Sequence, residues 1–407
     1  MSHQRRWWKG AAAAIAVCLV VFGCGAPSGG GDAGKALQPG DVPDKPEKPV
    51  ALNVLDVAGN LQLTQGMIDE FVEKNPDVVS KVTYSKSPAP DLAGKIKAQQ
   101  AAGQLQIQLV LTGTDGLAAG ISQKLWTKMS PDYDEKIGTP DYLEPAADMA
   151  ELAEGQGVEL VYYPSGPLLE YNPEKVKNPP TTPQELLSWA KAHPKRFQYA
   201  DPANSGPGRT WLMGLPYLLG DSDPSDPVKG WDKTWAYLKE LNKYVGTYAS
   251  GTTETMKNLA TGQIDMAMTT TGWYINPRAL GAVPKDIAVT HFDDMTWVTD
   301  AQYAVVPKGV SADEMSALTL LIKWMLTPEQ QAKAYDDGYF YPGPAVKNVP
   351  ISMAPAKSQQ VIKEFGHPEF DAWIEEFPKE PSLPAQSQVT AFDKWNRDIA
   401  SGKKSSG

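Results

Sequence analysis

Cysteine is scarce in this sequence: Cys18 and Cys24 are the two found in 407 residues. Because both lie near the N-terminus, no disulfide can cross-link the rest of the chain. Its fold must therefore depend on hydrophobic burial. Hydrophobic residues make up 42% of the sequence, which is ample for that purpose. A single core stops growing at about 250–300 residues. We therefore expect the body of the chain to form two lobes.

Positive charge is also in short supply. The 38 Lys and Arg residues are outnumbered by 48 Asp and Glu residues, which gives a formal net charge of -10. Nucleic acids and anionic lipid surfaces are bound through an excess of Lys and Arg. The composition therefore argues against both as binding partners.

The residues that usually carry catalysis or bind metals are few and poorly arranged. Among His193, His291 and His367, no two have the i, i+4 spacing of a helix-borne metal site, and the motif HExxH is absent. The Pro-Ser-Gly segment at 164–166 lacks the flanking glycine of a nucleophile elbow. We therefore expect no enzyme activity, no metal site and no cofactor.

Long hydrophobic runs are missing as well. The apolar stretch from Ala11 to Phe22 has about a dozen residues, well short of the ~20 that span a bilayer. It follows a basic head with Arg5, Arg6 and Lys9, an order typical of an export signal. We expect residues 1–23 to be a signal peptide, and leave open whether export uses the general secretory or the twin-arginine route.

The end of this signal resembles a bacterial lipobox. Val21-Phe22-Gly23-Cys24 would be cleaved after Gly23, so that Cys24 carries the lipid; the alternative is an ordinary secretory signal with an incidental cysteine. Gly, Pro, Ser, Asp and Lys dominate the following residues, a composition that cannot repay the entropy of ordering. We expect residues 24–49 to form a lipidated, flexible tether.

The body opens with a pattern of strands alternating with helices. A strand at 52–57 precedes a helix with Leu63, Met67, Ile68 and Phe71 on one face, and further strand and helix patterns follow. Such alternation predicts an α/β fold with a largely parallel sheet covered on both faces.

Four segments resemble the bacterial extracellular solute-binding proteins, the group that includes maltose-, spermidine- and thiamine-binding proteins. The similar segments, in chain order, are 160–182, 262–268, 303–332 and 383–396. The resemblance extends over nearly the whole body. It implies a periplasmic-binding-protein-like α/β fold of type II, in which two α/β lobes joined by a hinge enclose a cleft.

On this resemblance, the chain is divided as follows: 50–163 with 271–326 as lobe I, 164–270 with 327–402 as lobe II, and 403–407 as a disordered tail. The implied function is that of a monomeric, exported solute receptor of an ABC importer. It would be lipid-anchored at the extracellular face of the cell membrane or in the periplasm. It would deliver a small solute to a membrane permease driven by an ATPase.

Ligands of open α/β sheets bind beyond the carboxyl ends of strands, where loops and helix N-termini present unpaired N–H groups. Loops at 59–60, 113–115, 204–206 and 269–274 have this character. Aromatic planes such as Trp273 can stack on a ring or a cation. The predicted ligand-binding residues are Asn60, Thr114, Asp115, Tyr163, Asn204, Ser205, Arg209, Trp211, Thr271, Trp273 and Tyr274.

Several alternatives stay open at this point. Asn60 and Ser205 are also ordinary N-cap residues, and a solvated or salt-bridged role competes with anion binding at Arg209. The solute could equally be a polyamine, a thiamine-like cation or a small sugar, with a phosphonate or other anion less favoured. A secreted hydrolase using the carboxylates at 293–294, or a ferric-ion binder using the tyrosine pair at 162–163, are the alternative functions.

Overall fold

The computed structural model describes residues 37–57 and 59–404. The predicted signal peptide, the lipobox with Cys24 and the first part of the tether lie outside these residues. Among the helices that are described, none combines the length and the apolar character needed to cross a membrane.

Strands and helices alternate along the chain. The strands are β1 (Val50–Asp56), β2 (Val79–Lys86), β3 (Leu109–Gly113), β4 (Val158–Gly166), β5 (Leu168–Tyr171), β6 (Phe197–Gln198), β7 (Met266–Thr269), β8 (Ala288–Thr290), β9 (Trp297–Val305), β10 (Gly343–Pro344) and β11 (Lys379–Glu380). The helices are α1 (Leu61–Lys74), α2 (Ala89–Ala101), α3 (Thr114–Ser122), α4 (Asp134–Ile137), α5 (Glu144–Glu151), α6 (Pro183–Ala192), α7 (Gly206–Leu219), α8 (Asp232–Leu241), α9 (Thr252–Ala260), α10 (Thr271–Ala279), α11 (Ala312–Met325), α12 (Pro328–Gln331), α13 (Ala356–Phe365), α14 (Phe370–Glu376) and α15 (Ala385–Asp398).

The strands form two sheets. The larger has the order β10-β4-β9-β3-β1-β2, with β11 paired to β9, and the smaller has the order β6-β7-β5-β8. We call the elements packed on the larger sheet the first lobe and those packed on the smaller sheet the second lobe. The predicted α/β fold is confirmed.

Both sheets are mixed, whereas the alternation of elements predicted a largely parallel one. In the larger sheet β1 is parallel to β2 and β3, but β9 runs antiparallel to β3 and β4. The reason is connectivity: β9 returns from the second lobe, so it is not bound by the rule that a βαβ unit makes parallel neighbours.

Each sheet has its own core. In the first lobe, Leu52, Val54 and Leu321 are at most 1% exposed. In the second lobe, Trp211 and Trp395 are fully buried. Because fully burying one large apolar side chain contributes about 1.5–3 kcal/mol, each lobe has a substantial core of its own.

The lobe boundaries differ from those expected. β8 pairs with β5, so the segment 271–290 belongs to the second lobe and not to the first. β10 pairs with β4 in the larger sheet, so residues 343–344 belong to the first lobe. The threonine run at 269–271 ends β7 and starts α10; the chain returns to the larger sheet only between β8 and β9.

Residues 37–49 of the expected tether and 403–404 of the expected tail are packed on the lobes. Val42 is buried in the core of the first lobe, and Asp44 forms a 2.8 Å ion pair with Lys136, so residues 37–49 pack on that lobe. At the other end, the Lys403 Nζ donates a 3.0 Å hydrogen bond to the carbonyl of Val245, and Lys404 forms an ion pair with Asp201. Local composition predicted disorder, but long-range pairing orders these residues.

Glu170 lies in the middle of the smaller sheet, on β5, and is fully buried. Burial disfavours the charged carboxylate and raises the pKa of Glu170 from its ordinary 4.5 to about 8. Between these two pH values the folded protein holds a proton that the unfolded chain has lost. The stability provided by this group is therefore fully present below pH 4.5 and decreases as the pH rises toward 8.

We predict that Glu170→Gln stabilises the protein relative to the wild type at pH 8 and that this gain shrinks toward pH 5. The glutamine keeps the shape of the side chain and removes the cost of deprotonation. Urea unfolding of both proteins at several pH values measures the difference. A difference that does not change with pH would contradict the assignment of the titration to Glu170.

Candidate ligand-binding cleft

A cavity of about 570 Å³ lies between the two lobes. From the first lobe it is lined by residues that include Val57, Ala89, Asp115, Tyr163, Gln302, Tyr339 and Phe340. From the second lobe it is lined by residues that include Asn204, Ser205, Gly206, Arg209, Gly251, Thr252, Lys257 and Trp273. Of the eleven residues predicted to bind ligand, the cavity lining therefore includes Asp115, Tyr163, Asn204, Ser205, Arg209 and Trp273.

The floor of the cavity is an ion-pair cluster centred on Arg209. This residue lies in the first turns of α7, in the second lobe, and its side chain is 4% exposed. Its Nη1 lies 3.2 Å from the Asp115 Oδ2, and its Nη2 pairs with the Asp300 Oδ2. Asp115 and Asp300 belong to α3 and β9 of the first lobe. The arginine therefore joins the two lobes.

Asp300 is the most heavily hydrogen-bonded member of this cluster. Besides Arg209, it accepts bonds from the Thr114 Oγ1 and the Tyr163 Oη, both at 2.9 Å, and from the Ala301 amide at 3.0 Å. Four donors satisfy a carboxylate that is completely buried. This is the arrangement that makes a buried charge tolerable.

The cluster affects the protonation of its neighbours. Burial acts to lower the pKa of Arg209, but Asp300 and Asp115 outweigh it and raise that pKa, so the guanidinium stays charged. Burial and then the charge of Asp300 raise the pKa of Glu159 well above its ordinary value. Both effects favour the neutral form of Glu159 over a third carboxylate charge beside the cluster.

Two predicted residues support the site without lining the cavity. Thr114 contributes its hydroxyl to Asp300, as described above. Asn60 is fully buried at the start of α1, where its Oδ1 accepts a 2.7 Å hydrogen bond from the Thr64 hydroxyl. Contact of Thr114 or Asn60 with a ligand stays a prediction.

The remaining predicted residues pack elsewhere. Trp211 lies in the core of the second lobe and stacks on Phe292 with ring centroids 5.4 Å apart. The ring of Tyr274 is covered by the Arg278 guanidinium at 4.1 Å. Thr271 donates a 2.9 Å hydrogen bond to a main-chain carbonyl. Local helix spacing puts these side chains on the buried side of α7 and α10, away from the cavity.

One wall of the cavity is aromatic. Phe340 stacks on Tyr163 at 4.6 Å and lies 4.3 Å from Tyr339, whose ring in turn meets Trp273 edge-on at 5.5 Å. Gly272 makes this contact possible, since a Cβ there would overlap the carbonyl oxygen of Tyr339. Tyr339 and Phe340 were not among the predicted ligand-binding residues, although the aromatic run at 339–341 was a usable signal.

Another part of the cavity lining is formed by the N-termini of α7 and α9. The Ser205 Oγ lies 2.7 Å from the Thr252 Oγ1, and the Asn204 Nδ2 donates a 2.9 Å hydrogen bond to the carbonyl of Ser250. Residues 250–257 were missed by the sequence analysis. The pattern Ser-Gly-Thr-Thr-Glu at 250–254, with glycine where a helix begins, would have predicted this second N-terminus.

The part of the chain that the structure describes contains no evident metal site. There, no group of three or more His, Cys, Asp or Glu side chains is arranged to hold an ion. Tyr162 and Tyr163 are neighbours on β4, so their side chains point to opposite faces of the sheet.

Comparison with known proteins decides the family. A family model of bacterial extracellular solute-binding proteins matches residues 66–361, well over half of the chain. The chain belongs to this family. No curated protein sequence is similar enough to add to this assignment.

Solved structures of solute-binding proteins share the fold. AfuA from Actinobacillus pleuropneumoniae, with fructose-6-phosphate bound, has a TM-score of 0.62 and 17% identity over 86% of this chain and 98% of its own. A periplasmic thiamin binding protein has a TM-score of 0.60 and 16% identity over 88% and 99%. The Atu4243-GABA receptor has a TM-score of 0.63 and 17% identity over 88% and 100%. The predicted solute-binding fold with two lobes is confirmed.

We predict that the two acidic partners of Arg209 in this solute-binding protein differ in their effect on stability. Asp300→Asn leaves a buried guanidinium without its main partner and should cost about 3–5 kcal/mol. Asp115→Asn removes a longer, more exposed contact from the same arginine and should cost about 1 kcal/mol.

Urea unfolding of both variants measures these losses. Equal losses, or an Asp300→Asn variant as stable as the wild type, would show that Asp300 is not the main partner of Arg209.

Proposed function

We propose that the protein is the solute receptor of an ABC importer and captures a small solute between its lobes. The observation that carries this proposal is the cavity of about 570 Å³ with walls from both lobes. Sites for small molecules have volumes of about 300–1,000 Å³ and combine apolar walls with a few polar groups. The cavity combines an aromatic wall with two helix N-termini, which matches this description.

Capture follows from the contribution of both lobes. A solute that contacts the aromatic wall and the helix N-termini together gains its full interaction energy only when the lobes are close. Its binding therefore shifts the equilibrium toward the closed form by its difference in affinity for the two forms. A permease that recognises the closed form would then receive loaded receptors in preference to empty ones.

The proposal includes a location and partners. A lipid on Cys24 would hold the receptor at the outer face of the cell membrane, near the permease and its ATPase. Multiple acyl chains hold a protein stably, whereas one chain binds membranes only marginally. The solute classes favoured by the sequence were a polyamine, a thiamine-like cation and a small sugar, and the choice among solutes depends on the polar groups that face the cavity.

We predict that a solute from a nutrient library raises the melting temperature of the purified protein. A ligand stabilises by RT ln(1 + [L]/Kd), which is about 2.7 kcal/mol at a hundredfold excess over Kd. Trp273→Ala should lose most of this effect because Trp273 forms part of the aromatic wall.

The matched control is Trp189→Ala. Trp189 is also a partly buried tryptophan of the second lobe, but it stacks on His193 at 4.5 Å, away from the cavity. Its loss should leave the solute-induced shift unchanged. If no solute of any class stabilises the wild type, or if both variants respond alike, the proposed capture between the lobes is wrong.

A further inference from the structure

The N-termini of α7 and α9 meet at one corner of the cavity. We call this the α7–α9 corner and define it by residues 204–206 and 250–253, with Arg209 and Lys257 beside them. All of these residues line the cavity. The helices have 14 and 9 residues. Their first amides carry partial positive charge and, within the helix, have no hydrogen-bond partner.

The amides of Thr252 and Thr253, at the start of α9, are not capped by a side chain. The N-cap residue is Gly251, which has no side chain to accept from them, and no side-chain cap is formed. The carboxylate that could have done so belongs to Glu254, but its Oε2 accepts from the amide and the hydroxyl of Ser250 at 2.8 and 3.0 Å. In contrast, α7 is capped by Ser205, whose Oγ accepts from the Gly208 amide at 3.1 Å.

Two buried polar atoms beside the corner also lack partners. Among the described residues, the Arg209 Nε and the Gln302 Oε1 have no hydrogen bond, although these residues are only 3% and 1% exposed. Leaving a buried polar atom unpaired is unfavourable, because the atom has lost its hydrogen bonds to water. Both residues line the cavity, so these two atoms are candidate partners for polar atoms of a ligand.

The charged side chains that line the cavity differ in how far they are already paired within the protein. Asp115 already forms an ion pair with Arg209 and accepts a 2.8 Å hydrogen bond from the Gly116 amide. Glu254 is bonded to Ser250. Lys257, by contrast, forms no salt bridge within the part of the chain that the structure describes. The groups still free to bind are therefore mainly donors: the Lys257 ammonium, the Arg209 Nε and the first amides of α9.

We propose that the α7–α9 corner binds an anionic group of the solute, a carboxylate or a phosphate ester. This rests on the proposed function, and it reverses the order of preference drawn from the sequence, in which an anion was the less favoured solute. Backbone amides at helix N-termini together with a lysine and an arginine bind oxyanions through charge-assisted hydrogen bonds. The rest of the solute then lies toward the aromatic wall.

The test uses matched probes that differ in the anionic group alone. Fructose 6-phosphate is compared with fructose, and 4-aminobutyrate with 4-aminobutanamide, while spermidine represents polycations; all are included in a wider solute library. Thermal shift identifies the solutes that stabilise the wild type, and calorimetry measures their Kd. We expect the stabilising solutes to carry a phosphate ester or a carboxylate, and the two matched pairs distinguish these sources.

The variants are Lys257→Gln and, as a control of equal charge change, Lys239→Gln. Lys239 is an exposed lysine on α8 and does not line the cavity. Losing one charged donor should weaken the affinity for the anionic solute about five- to tenfold, and Lys239→Gln should leave it within about twofold. Added salt should weaken binding in the wild type more than in Lys257→Gln.

The possible results distinguish the failure of the anion site from the failure of the receptor function. A neutral sugar or a polyamine as the stabilising solute would overturn the anion site and leave the receptor function standing. An anionic solute whose affinity changes equally in both variants would also overturn the site. If nothing in the library stabilises the wild type, both proposals are wrong.

Discussion

The structure depends on burying one positive charge between two lobes. A guanidinium removed from water is costly unless it is paired and hydrogen-bonded. Arg209 lies on α7 of the second lobe, and its partners, Asp300 and Asp115, both lie in the first. The arginine thus favours one arrangement of α7 against the larger sheet. Because α7 begins at the cavity, the same ion pairs set where the solute site is formed.

This constraint connects the packing with the proposed function. Each lobe has a core of its own, so in the proposed capture each lobe would move as a unit, and the contacts between the lobes would decide which arrangement is favoured. The cluster lies at the floor of the cavity and leaves the Arg209 Nε unpaired. A solute that supplies an oxygen there adds to the contacts that hold the lobes together, which is what a receptor that closes on its solute requires.

Local features of the fold were predictable from the sequence. The N-cap bonds of Thr182 and Ser311 join residues three positions apart, so the local sequence is enough to place them. Thr327 makes no such side-chain bond, and its helix ends after four residues. Features that depend on distant residues were harder: nothing near Asp300 in the sequence shows that Arg209 lies against it. The lobe boundary at 271 failed for the same reason, since strand pairing in the second lobe, not the local pattern, decides it.

A double-mutant cycle between Arg209→Met and Asp300→Asn tests the central claim most directly. The free energies of unfolding of the wild type, both single variants and the double variant are measured with urea. If the pair joins the lobes as described, the double variant should lose less stability than the two single losses combined, with a coupling of about 1.5–3 kcal/mol. Losses that add within about 0.5 kcal/mol would show that the two residues do not depend on each other, and would contradict the account.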